Sequence, residues 1–208
     1  MFLFICLFLA FVATACTAGR ACKPFPPSML EFSAQFEQPK PPLVNPEFKT
    51  NFIQHKWNEN VSHITAGFIY NSPSQGLVRV DHAYEGGLAS SSFNYSNVTD
   101  AGLVDNTVTT FLGSSEKTEV WRGYVNSNFP LFLESILVES GAIFTGLAKR
   151  DLVTEWTASW SIMYQGVIPV TVYVNGCNNV VGYDYFTPSE RTRVVTEFFS
   201  TTAGAVRI

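Results

Sequence analysis

The sequence predicts a mostly β protein, a meander of antiparallel strands with one short helix. Three observations carry this expectation. Apolar and polar residues alternate over most of the chain beyond Phe48, and clusters of Gly, Asn, Ser and Pro interrupt the alternation at short, regular intervals. Aromatic residues are dense, with 18 Phe, 8 Tyr and 4 Trp among 208 residues. Charged residues make up only 14% of the chain while 46% is hydrophobic, which excludes a disordered polypeptide. A net charge of −4 without any cluster of Lys or Arg removes the electrostatic footprint of a nucleic-acid binder.

The N-terminal stretch FLFICLFLAFVATA is uncharged, apolar and too short to span a bilayer comfortably, so residues 1–18 read as a cleaved secretory signal. Its lack of a basic start leaves a signal anchor as the other reading. Cleavage after Ala15 keeps Cys16, whereas cleavage after Ala18 leaves Cys22 and Cys177 as an even pair. In an oxidising compartment these two would form a disulfide. Three glycosylation sequons follow, at Asn60, Asn94 and Asn97, all in turn-like polar stretches. Together these features predict a secreted or secretory-lumen glycoprotein with no stable membrane insertion.

Residues 19–46 read as a Pro-rich extended arm, because seven of the 11 prolines fall between Pro24 and Pro46 and forbid a long helix or a central strand. Leu30, Phe32 and Phe36 alternate with polar residues and predict one edge strand inside the arm. An unpaired edge there could be covered by a homodimer. Residues 47–208 read as a single antiparallel β domain. Strands are expected at 52–57, 64–70, 77–84 and 88–95, and less clearly at 108–112 and 120–125. Phe132, Leu133, Ile136, Leu137 and Ile143 fall near helical spacing behind Pro130, so 129–144 is the expected helix. Strands resume at 154–163, 169–175, 180–186 and 193–200, with the Asn175-Gly176 turn and Pro188 between them.

The order of these features resembles the ependymin-related and LolA-like secreted proteins. A Cys-Lys-Pro-Phe-Pro-Pro arm leads into EFSAQFEQ, followed by GFIYNSPSQGLVRVD, TEWTASWSIMYQGVIPVTVYV, VVGYDYFTP and VVTEFFSTTAG. That resemblance implies a curved, lipocalin/LolA-like sheet with a helix over an apolar cavity, and a lipid or other hydrophobic ligand. The chain departs from the family where it has Val167 in place of a cysteine before Ile-Pro-Val. By overall profile the chain is also similar to the glycosylated fungal hetero-Diels–Alderases of tropolone-sesquiterpene biosynthesis. That similarity implies a [4+2] cycloaddition joining a tropolone o-quinone methide to a sesquiterpene alkene.

The residues themselves offer little covalent chemistry. No GxSxG elbow is present, and the two mature cysteines are spent on a disulfide. His55, His63 and His82 fall on three different expected strands, so no metal site and no cofactor is expected, although the oxygen-rich 94–105 segment leaves weak calcium binding open. Trp57, Tyr70, Trp121, Trp156, Trp160, Tyr164, Tyr183 and Tyr185 are the expected walls of a hydrophobic ligand pocket, each pairing an apolar body with a polar tip. Ordinary core packing is the bland reading for any one of them. Arg79 and Asp81, two apart on one strand face, with His55 on a neighbouring strand, are the expected catalytic set for a cyclase. Arg79 or a tyrosine would donate to a carbonyl, and His55 or Asp81 would assist loss of water. Asp184, between Tyr183 and Tyr185, is a further polar candidate. The competing expectation is a non-catalytic carrier of a small hydrophobic ligand.

Overall fold

The computed structural model describes residues 22–29, 36–84, 87–112, 118–164 and 166–208. The expected signal, and all but the last residue of the expected edge strand in the arm, lie outside the described residues. Eleven strands form one antiparallel sheet: β1 (Phe48–Trp57), β2 (Ser62–Ser72), β3 (Leu77–Tyr84), β4 (Gly87–Val98), β5 (Val104–Leu112), β6 (Thr118–Val125), β7 (Ile143–Arg150), β8 (Val153–Tyr164), β9 (Ile168–Val174), β10 (Val180–Thr187) and β11 (Thr192–Ala203). Their order is β6-β5-β4-β3-β2-β1-β11-β10-β9-β8-β7, so β6 and β7 are the two ends of an unclosed sheet. Two meanders are thus joined side by side where β11 returns to pair with β1, Phe52 lying opposite Phe198.

Strand alternation assigns the faces. On one face Phe48, Phe52, Ile69, Val78, Val80, Phe93, Val172, Tyr183 and Phe198 are buried in a single cluster. Their sequence neighbours point the other way, where Ile53, Phe68, Leu88 and Phe111 stay exposed. Residues 126–142 cross the buried face as a strap connecting β6 to β7. Phe129 packs on Phe52 at 5.4 Å and on Phe93 at 6.2 Å, and Phe132 packs on Tyr183 at 5.7 Å and on Phe48 at 6.2 Å. The strap contains the one α-helix of the described residues, α1 (Ile136–Glu139), a single turn whose Leu137 is fully buried.

The strap corrects two sequence expectations. The helix expected over 129–144 shrinks to a single turn, because backbone groups that a helix would use internally are taken by the sheet. The Asn71 amide donates to the Phe132 carbonyl at 2.9 Å and accepts from the Phe132 N–H at 3.0 Å, while Tyr183 donates to the Asn128 carbonyl at 2.6 Å. Gly141, at φ +60, then ends the helical turn. Residues 143–150, of which the expected helix claimed only the first two and no strand was expected over the rest, form β7. Its pairing with β8 shifts register between Phe144 and Gly146 and again between Ala148 and Arg150, which erases the simple alternation that marks a strand.

The expected disulfide is present: Cys22 is bonded to Cys177 across a separation of 155 residues. It pins the start of the arm against the β9–β10 turn. Gly176 is required there, since a Cβ would lie 2.1 Å from the Lys23 carbonyl oxygen. Among the described residues no helix is long and apolar enough to cross a membrane, which does not bear on strands.

Two measurements check these assignments. Replacing Cys177 with Ser should lower unfolding stability by up to about 5 kcal/mol, the chain-entropy value for a loop of this size, read as a shift in the denaturant midpoint against the oxidised parent. Burial holds the pKa of His82 below its ordinary 6.5, against the opposing pull of the Val80 backbone and Asp81, and its Nδ1 has no partner. The unfolded chain therefore takes up a proton first as pH falls. Stability is full above the unfolded value and drops as pH descends from there through the folded value. His82→Gln should flatten that drop as pH falls below the ordinary 6.5, and an unchanged slope would assign the pH dependence elsewhere.

Candidate functional site

Between the strap and β8–β10 lies an apolar throat of about 60 Å³, lined by Phe132, Ile136, Ile162, Val170, Val172 and Tyr183 among others. Strand register builds its floor. Ile162 faces Val170, which faces Tyr185, and Trp160 faces Val172, which faces Tyr183, so two rows of large side chains run across three adjacent strands. The throat shares Ser127, Asn128, Tyr164 and Ile168 with a wider outer cleft of about 690 Å³, whose other walls include Lys56, Asn126, Thr187 and Glu190. An apolar end thus opens into a polar mouth.

Four tyrosines converge on this region, and three of them hold the strap. Tyr95 donates to the Phe129 carbonyl at 2.5 Å, Tyr183 to the Asn128 carbonyl at 2.6 Å and Tyr185 to the Asn128 side-chain oxygen at 2.9 Å. Tyr164 lines both throat and cleft, and its hydroxyl has no hydrogen-bond partner among the described residues. Burial raises the pKa of all four phenols above the ordinary value of 10.0. They remain neutral O–H donors throughout the physiological range, which suits them to a carbonyl or similar acceptor and unsuits them as bases or nucleophiles. Among the described residues no group of three or more His, Cys, Asp and Glu is placed to hold a metal ion.

The sequence-predicted residues separate into distinct places. Tyr164, Tyr183 and Tyr185 come together at the throat. Trp160, only 2% exposed, sits on the same face but beneath the Pro-rich arm, against Phe144 at 5.4 Å. Trp57 and Tyr70 lie on the opposite face, beneath the guanidinium groups of Arg193 and Arg79 at 5.7 Å and 5.4 Å. Trp121 and Trp156 are half exposed, the latter under Lys149 at 5.1 Å.

Arg79, Asp81 and His55 also occupy the opposite face. Arg79 donates to Asp81 at 2.9 Å and Ser90 donates to the same carboxylate oxygen at 2.6 Å. His55 instead meets Ser62 at 2.8 Å and the ring of Trp57 at 4.4 Å. Through β2, Asp81 aligns with Asn51 of β1, not with His55, an offset of about 13 Å along the strand. Asp184 likewise faces away from the throat, held by both terminal nitrogens of Arg150 at 3.1 and 3.2 Å and by Tyr173 at 3.0 Å. This cluster fastens the β7–β8 hairpin to β9–β11, with Glu197 3.6 Å from the same guanidinium.

Of the sequons, Asn60 and Asn97 are exposed and Asn94 is half-buried. The residues that sequence reasoning missed are Asn71, Asn128, Lys56 and Glu190. Asn128 stands before Phe-Pro, a turn signal that could have marked the strap as irregular. Asn71 carries no local sign of its role, since its partners are 25 and 61 residues away.

Replacing Asn71 with Ala would orphan the Phe132 N–H and the Phe132 and Pro46 carbonyls in a buried place. A loss of about 2–4 kcal/mol is expected, measured by chemical denaturation, and an effect within error would show that the strap does not depend on Asn71.

No family model matches the chain, and no curated protein matches it.

Proposed function

We propose that the chain binds a small apolar molecule carrying a hydrogen-bond acceptor, with its apolar end in the throat, its acceptor on the Tyr164 hydroxyl and its polar remainder in the outer cleft. The observation that carries this reading is the shared rim: one neutral, unpaired phenol stands where an apolar recess meets a polar mouth. The throat is far below the roughly 300–1,000 Å³ of a complete small-molecule site, so a ligand occupies both spaces. The width of the sheet supports an enclosing shape. Ten strand spacings would set β6 and β7 about 48 Å apart in a flat sheet. A strap that spends ten of its residues on bends, turns and a helical turn reaches only about 40 Å. Curling of the sheet into a half-barrel, with α1 over an apolar cavity, reconciles the two. The signal-like N-terminus, the sequons and the disulfide favour an extracellular or secretory-lumen setting for this binding.

A second reading is catalysis at the same place, the joining of a tropolone o-quinone methide to a sesquiterpene alkene. Tyr164 is the observation that favours it. A cycloaddition needs no nucleophile. It needs two apolar partners held in a reactive pose and a donor at the carbonyl where charge accumulates. In this reading the donor is Tyr164, and Arg79, Asp81 and His55, which lie across the sheet, take no part.

The test uses 2-nonanone and nonane as paired probes in calorimetric titrations. Ile162→Trp, which fills the throat, should abolish binding of both. Tyr164→Phe should weaken the ketone about two- to tenfold, the worth of one hydrogen bond, and leave the hydrocarbon unchanged. Ketone binding indifferent to both substitutions would remove the proposal. For the catalytic reading, protein incubated with the two reaction partners should yield more than one equivalent of a product with their summed mass, absent from a heat-denatured control. Unchanged partners would leave binding alone.

A further inference from the structure

Towards the other ends of β8 and β9 a second cavity, of about 300 Å³, lies between the sheet and the Pro-rich arm. Phe25 and Met29 of the arm form one wall and Trp160 and Val174 of the sheet the other, with Lys23 and Lys40 at the margin. The disulfide and the close seat of Lys23 on Gly176 hold the arm in place over it. Two observations point to a ligand. Trp160 is 2% exposed and its indole Nε1 has no hydrogen-bond partner, an unusual condition for a buried donor. The two lysines are exposed, and among the described residues neither belongs to an ion pair. Nearby Asn175 is already committed, donating to Glu155 at 2.9 Å.

We propose that the cavity beneath the arm is a second binding site, for a flat aromatic anion that carries a hydrogen-bond acceptor at the end remote from its charge. The ring lies between Phe25 and Val174, where apolar burial drives entry. The acceptor takes the Trp160 N–H at the buried end. The anionic group stays at the margin between Lys23 and Lys40, where it keeps part of its hydration. This site is separate from the throat and does not depend on the reading given to it.

The probe is 6-hydroxy-2-naphthoate, titrated calorimetrically into the full oxidised chain, with 2-naphthoate and 2-naphthol as companions. One molecule should bind per protein. The Lys23→Ala/Lys40→Ala double variant, which alters only exposed side chains, should weaken it about tenfold. Trp160→Phe keeps the ring and removes the donor. It should weaken 6-hydroxy-2-naphthoate about fivefold and leave 2-naphthoate, which lacks the acceptor, unchanged. Tyr164→Phe should have no effect. The proposal is overturned by no binding, by equal affinity for the uncharged naphthol, or by affinity that ignores the lysine and Trp160 substitutions. Affinity lost with Tyr164→Phe would assign the probe to the throat and overturn it as well.

Discussion

A non-regular segment can cross an apolar face only if its backbone polar groups find partners there, because water is excluded and each unpaired group costs free energy. Residues 126–142 meet that constraint with side chains of the sheet. Asn71 supplies both a donor and an acceptor to Phe132, while Tyr95 and Tyr183 each donate to a strap carbonyl. Val44 extends the same solution from the arm, its N–H donating to the Glu134 carbonyl at 3.0 Å. With these bonds in place the strap lays Phe129 and Phe132 into the sheet, and the main core cluster closes around them. Without them the crossing segment would have to become a helix or leave the surface.

The same constraint divides the aromatic residues by role. A tyrosine that donates to the strap is part of the scaffold, whatever its position beside the throat. Tyr183 and Tyr185 therefore set the width of the recess and are not free to recognise a ligand. Tyr164, at the end of β8, donates to no strap carbonyl and keeps its hydroxyl unspent. Polar chemistry on the opposite face is likewise structural where it is buried: Arg150 spends both terminal nitrogens on Asp184 and stacks over Tyr173 at 4.1 Å. Arg79 and Asp81, half exposed on that face, satisfy each other and Ser90 without reaching an apolar recess.

Much of the fold was legible because its signal is local. Ten of the eleven strands were marked by alternation, from Phe52 and Gln54 on β1 to Val194 and Thr196 on β11, and the turns between them by Gly, Asn and Pro. The strand that escaped, β7, has two register shifts, so its side chains do not keep a period of two. The strap imitated a helix because Phe132, Ile136 and Leu137 bury one stripe, and an apolar stripe is what helical spacing also produces. Of the candidate pocket residues, Tyr164, Tyr183, Tyr185 and Trp160 lie on the buried face. Trp57 and Tyr70 were not separable from them, since alternation reveals that two faces exist but not which one a distant segment will cover.

By itself the sequence determined the antiparallel β class, the turn positions, the pairing of Cys22 with Cys177 and the shortage of nucleophiles, since each rests on neighbours in the chain or on a simple count. Only the tertiary structure decided which face became the interior. The strap is joined to β6 and β7 at opposite ends of the sheet, and the face it crosses is chosen by Asn71 and the tyrosines, whose partners lie tens of residues away. That choice leaves Tyr164 beside an apolar recess and sends His55, Arg79 and Asp81 to the other side, an outcome that no local pattern encodes.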